Sequence, residues 1–104
     1  MPAMSETRLQ VDCPPANEGW ACRVRVLAGT SSSEHTVRVH LSDLDDLAPG
    51  ATDPTRLVEE SFRFLLEREP PESILRDFDL RTIGRYFPQY ENEIRARMAG
   101  WSKQ

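Results

Sequence analysis

Three stretches near the N-terminus alternate apolar and polar side chains with a period of two, and one long amphipathic stretch follows them. A chain so patterned must hide one face of a sheet beneath a helix. Leu9, Val11 and Cys13 alternate with Arg8, Gln10 and Asp12. Cys22, Val24 and Val26 alternate with Arg23 and Arg25, and His35, Val37, Val39 and Leu41 with Thr36, Arg38 and His40. Successive side chains of a strand point to opposite faces, so each stretch reads as a half-buried strand. The run from Gly29 to Ser33 is rich in turn formers and short enough for a hairpin, which makes an antiparallel meander the natural arrangement.

The amphipathic stretch opens at Asp53-Pro54, an N-cap followed by a proline at the first helical position. Its body, Thr55 to Glu69, carries Leu57, Val58, Phe62, Leu65 and Leu66 as a wide stripe, with Phe64 at the margin. An arc that broad needs more than one neighbour to cover it. Glu69 precedes Pro70, where the α conformation is disfavoured, so the helix should end there.

Shorter helices are expected on either side. Ser42 with Asp45 three residues on resembles a capping box for one or two turns that Pro49-Gly50 closes. Pro71 begins another helix, with Ile74, Leu75 and Phe78 inward, and Asp79 caps a third whose inner face is Leu80, Ile83 and Phe87. In the last, Tyr90, Ile94 and Met98 recur every four residues beside the pairs Glu91/Arg95 and Glu93/Arg97. Gly100 followed by Trp101 fits a left-handed C-cap.

With 104 residues the chain has room for one core. The expected fold is α+β: a three-stranded antiparallel sheet followed by one central helix and two or three shorter helices. It forms a single domain over 1–104, with residues 1–6 disordered for want of any periodicity. At 38% hydrophobic residues and with no apolar run long enough for a signal peptide or a membrane span, the expected address is cytoplasmic, with no membrane contact.

Two cysteines, Cys13 and Cys22, flank a loop that starts with Pro14-Pro15. A hairpin could bring them opposite one another, but a reducing cytosol would keep them as thiols, and the expectation is two small buried hydrophobes. His35 and His40 fall on opposite faces of one strand, which argues against a zinc site. Asp43, Asp45 and Asp46 lack the glycine and closing glutamate of a calcium loop. The glycines are scattered rather than gathered into a phosphate cradle, and no Ser, Cys or Thr sits in a nucleophile context. No catalytic residue, metal site or cofactor is therefore nominated, and an enzyme is not expected.

What stands out is arginine. The face of the sheet opposite the core would show Arg8, Arg23, Arg25, Arg38 and His40, within a protein of net charge -4. Such a face is either solvated, with neighbouring acids pairing the heads, or a docking surface for an anionic partner. The leading reading is a non-enzymatic macromolecular binding module with an unidentified protein partner or a second copy of itself, using this face or exposed aromatics such as Trp20, Tyr86 and Trp101. The alternative is a DNA-binding regulator. Residues 74–87 resemble a helix-turn-helix whose second helix would expose Arg81, Thr82, Arg85 and Gln89 in the most basic part of the chain. The acidic total makes nucleic acid the lesser candidate.

From Leu57 onward the chain resembles a group of small uncharacterised bacterial proteins. The residues that carry the resemblance most densely are Phe62-Arg63-Phe64-Leu65-Leu66-Glu67-Arg68-Glu69-Pro70-Pro71-Glu72-Ser73-Ile74-Leu75 and Phe78-Asp79-Leu80 to Tyr86-Phe87-Pro88-Gln89-Tyr90-Glu91. The resemblance implies a bacterial, cytosolic, single-domain protein and transfers no site residue.

Overall fold

The alternating segments become strands in a computed structural model that describes residues 7–102, with side chains to residue 100. Residues 1–6 and the side chain of Trp101 lie outside the described residues, and with them the expectations made for those positions. Strands β1 (Thr7–Asp12), β3 (Gly19–Ala28) and β4 (Ser31–His40) form the antiparallel meander. Between the first two, a two-residue strand β2 (Pro15–Ala16) continues the register of β1 along the start of β3. The turn between β3 and β4 is Gly29-Thr30 alone, because Gly29 adopts φ +62°, the left-handed value a tight hairpin requires. Val24, Val26, Val37 and Val39 are buried on the inner face, as the period of two dictates.

The sheet is not purely antiparallel. A further strand, β5 (Asp77–Asp79), lies parallel to β4 and completes the path β1-β3-β4-β5. Here the sequence expectation is corrected. Instead of a helix from Pro71 there is one 3-10 turn, Pro71–Ser73, after which the chain is captured by the open edge of β4. The Thr36 amide donates to the Arg76 carbonyl at 2.7 Å and the Leu80 amide to the Arg38 carbonyl at 3.0 Å. Ile74 and Phe78 are buried as expected, but Leu75 is 45% exposed.

The cysteines are also corrected. The β1–β3 register pairs Asp12 with Arg23, so Cys13 and Cys22 are the next opposed pair, and they are joined as a disulfide with Cα atoms 4.0 Å apart. Cys22 is fully buried and Cys13 half-buried.

Helix α1 (Leu41–Leu47) begins before Ser42. The cap is His40, whose amide donates to the Asp43 carboxylate at 2.9 Å, and Leu41 is exposed rather than part of the strand's inner face. Helix α2 (Thr55–Leu66) ends three residues early. Asp53 accepts from the Thr55 amide at 2.7 Å, and the Thr55 side chain together with that amide holds its carboxyl below the usual range. Two layers cover the broad arc of α2. Phe62 packs on His35 and Phe78 of the sheet, while Phe64 meets Phe87 and Tyr90 edge-on.

Helix α3 (Thr82–Tyr86) is brief, and α4 (Tyr90–Ser102) is as long as α2 rather than a minor helix. Tyr90, Ile94 and Met98 are buried against α2. At their interface Ser61 donates to the Leu57 carbonyl at 2.8 Å and shares a 2.7 Å hydrogen bond with the Tyr90 hydroxyl, whose pKa burial pushes up. Gly100 lies within α4, so the C-cap expected there is not at that position. The buried side chains form one core.

Candidate functional site

Among the described residues the helices all pack on the inner side of the sheet or beyond it, and its outer-face arginines are exposed. Arg8, Arg23, Arg25, Arg38 and His40 are all exposed there. Strand register decides what lies between them. One row reads Gln10, Arg25, Glu34 across β1, β3 and β4. The next reads Asp12, Arg23, Thr36, Asp77, and a third Ala21, Arg38, Asp79. Four guanidinium groups thus share the face with the carboxylates of Asp12, Glu34, Asp77 and Asp79.

The pairing is explicit for two of the arginines. Arg25 donates to one Glu34 oxygen through Nε at 3.2 Å and Nη2 at 2.8 Å. Arg38 donates to Asp79 through Nε at 2.8 Å and to Asp77 through Nη1. The Arg25 guanidinium, with Arg23 adding to the field, holds the Glu34 carboxyl below the usual range. Asp77 and Asp79 hold Arg38 more firmly protonated than a free guanidinium. All of these side chains remain in contact with water, so each pair adds little to stability. The face is therefore charge-patterned rather than basic. Beside these rows, Asp12, Arg23, Arg25, Glu34, Arg76 and Asp77 border a shallow depression of about 710 Å³.

The residues nominated for DNA are not brought together. β5 stands where the first helix of a helix-turn-helix would be, so residues 74–87 do not form that motif. Arg81 is held by three carboxylates, Asp43 at 2.8 Å, Asp46 at 2.7 Å and Glu91 at 2.9 Å, which raise its pKa and engage each of its three nitrogens. Thr82 is half-buried. Arg85 and Gln89 are exposed, the latter in the turn before α4.

Sequence reasoning missed the clamp that Arg81 forms between α1, α3 and α4. It also missed an apolar cleft of about 200 Å³ between the end of α2, residues 73–75 and α3, floored by Leu65, Ile74 and Phe78. Leu75 and Tyr86, 64% exposed, stand at its lip. Tyr86 was legible as an exposed aromatic. Trp20, nominated with it, is instead half-buried and packed against the core.

Among the described residues no three His, Cys, Asp or Glu side chains gather as a metal site, and no helix is long and apolar enough to cross a membrane. The chain matches no family model, no curated protein and no solved structure.

Proposed function

We propose that the protein is a non-enzymatic binding module that docks another polypeptide on the open outer face of its sheet, through Arg8, Arg23, Arg25, Arg38 and His40. The observation that carries this reading is the alternation of exposed arginines with carboxylates on a face that no helix covers among the described residues. A uniformly basic face would suit a phosphate backbone, whose attraction depends on summed positive charge. A face of balanced, fixed charges selects instead for a partner whose own charges follow a matching pattern, and penalises one that does not. The proposed setting is the cytoplasm of a bacterium, in keeping with the resemblance of the C-terminal half. There, reductants would hold Cys13 and Cys22 as thiols until oxidation closes the bridge.

The test is the variant Arg23→Ser, Arg25→Ser, Arg38→Ser beside a control, Arg63→Ser with Arg85→Ser, whose changes lie off the sheet face. Both should keep the far-UV spectrum of the wild type, because exposed pairs contribute little. Quantitative capture from the source lysate should recover a protein with the wild type and the control that the triple variant loses. Identical recoveries with all three baits would refute the reading. A gel shift with random duplex DNA at low salt should show no binding, and a shift that the triple variant abolishes would transfer the face to nucleic acid.

A further inference from the structure

The two edges of the sheet differ in how they are protected. At one edge β5 is only three residues long. At the other, β1 offers six residues, and among the described residues no strand pairs with its outer side. Short strands and prolines blunt an edge, and Pro14 and Pro15 do so just past the end of β1, but Thr7–Asp12 holds neither proline nor lysine.

Ladder geometry fixes which groups this edge presents. The Ala21 amide donates to the Pro14 carbonyl at 3.1 Å, which makes 14 and 21 a hydrogen-bonded pair and the Cys13–Cys22 pair a non-hydrogen-bonded one. Counting back along β1 in register, Arg8, Gln10 and Asp12 turn their backbone groups toward β3. Thr7, Leu9 and Val11 turn theirs outward, unpaired, toward any strand that adds to the edge.

The sequence of β1 is complementary to itself in one register. With a two-fold axis through Gln10, Leu9 of one copy meets Val11 of the other as a hydrogen-bonded pair, using the outward backbone groups just named. On the outer face Arg8 meets Asp12 of the second copy as a non-hydrogen-bonded pair, the kind in which side chains lie closest. Axes through Leu9 or Val11 put no described carboxylate opposite Arg8. The inner side chains agree, since Leu9 and Val11 are only partly buried while their neighbours Val24 and Val26 are fully so. A second copy would cover what remains exposed of these two side chains.

We infer that the chain forms a two-fold homodimer by antiparallel pairing of β1 with β1 of a second copy, centred on Gln10, so that the two sheets become one. The inference stands apart from the partner reading above, since it uses the edge of the sheet and not its face. It would also set two outer faces side by side in one continuous surface.

The test is sedimentation equilibrium on the full chain from micromolar to millimolar concentration, with charge-reversed variants. The wild type should dimerise. Arg8→Asp alone sets four carboxylates across the axis and Asp12→Arg alone sets four guanidinium groups there, so each variant should be monomeric at concentrations where the wild type is paired. An equimolar mixture of the two variants restores both Arg–Asp contacts and should dimerise. Because the Asp12 change also touches Arg23 in its own sheet, Gln10→Cys provides a second readout. Its new thiols face each other across the axis and should crosslink on mild oxidation into a covalent dimer of unchanged circular dichroism. A wild type that stays monomeric throughout would overturn the inference, as would single variants that dimerise as well as it does. Pairing of β1 with a strand of a different protein would give the same failure of self-association.

Discussion

Replacing Arg81 by Met tests whether this residue is a structural clamp rather than a ligand-reading one. Asp43 has 5% of its side chain exposed and is held by Arg81 and by the His40 amide. Removing Arg81 leaves a buried carboxylate short of its charged partner, at about 1.5–3 kcal/mol for a charged hydrogen bond. Arg81 itself is 36% exposed, and Asp46 and Glu91 reach water, so those two pairs add little to that loss. A loss of about 3 kcal/mol is expected. For a domain of 104 residues, an unfolding entropy of about 2.1 cal/mol/K per residue converts this to a Tm lower by about 14 °C. The assay is thermal and urea denaturation followed by circular dichroism. Arg85→Met, at an exposed position on the next turn, serves as the control and should stay within about 0.5 kcal/mol of wild type. Asp43→Asn retains an acceptor for the His40 amide while removing the charge, so Arg81→Met should cost much less in its presence, a coupling above about 1 kcal/mol. Full stability of Arg81→Met, or strict additivity with Asp43→Asn, would refute the clamp.

Further outcomes follow from individual residues. Burial holds the His35 imidazole below its ordinary pKa, with Arg76 opposing protonation as well and the hydrogen bond to the Leu75 carbonyl acting in the opposite sense. The unfolded chain therefore takes up this proton first, so stability is full above about pH 6.5 and falls below it by at most about 1.4 kcal/mol per pH unit. Urea midpoints between pH 7.5 and 5 should fall for the wild type and stay flat for His35→Gln, and equal slopes would contradict the assignment. At lower pH, Glu34, Asp46 and Glu67, held low by Arg25, Arg81 and Arg97, lose their pairs in turn and steepen the decline. Reducing Cys13–Cys22, a sequence separation of 9, frees a loop whose closure entropy is worth about 2.7 kcal/mol, so dithiothreitol should lower the Tm by about 12 °C. A Cβ on Gly19 would stand 2.1 Å from the Val39 carbonyl oxygen, so Gly19→Ala should cost about 3 kcal/mol in a urea melt. Gly100 has open space around it inside α4, so Gly100→Ala should gain about 0.5–1 kcal/mol, and a loss would mean that the residue caps the helix after all.

What the sequence revealed and what it hid divide along the range of the forces involved. The strands β1, β3 and β4, the stripe of α2 and the four-residue repeat of Tyr90, Ile94 and Met98 are set by near neighbours and a period, so composition along the chain was enough to read them. β5 was not legible. Ile74 and Phe78 are four apart, which fits a helix as well as it fits two inward positions around a bend, and only the unfilled hydrogen-bonding edge of β4, about forty residues earlier, decides between them. The same holds for the outer face. Its arginines could be named from alternation, but Asp77 and Asp79 reach Arg38 only because β5 docks there, and without them the face reads as basic. Arg81 shows the converse error. Seen locally it is a cation on a short helix in the most basic part of the chain, a reasonable phosphate ligand. Asp43 and Asp46 lie 38 and 35 residues away, and folding spends its donors on them before any external anion arrives. In a small acidic domain with almost no lysine, an arginine is therefore best judged by which carboxylates the topology carries to it, and the face worth testing is the one where guanidinium groups stay in water after those pairings are made.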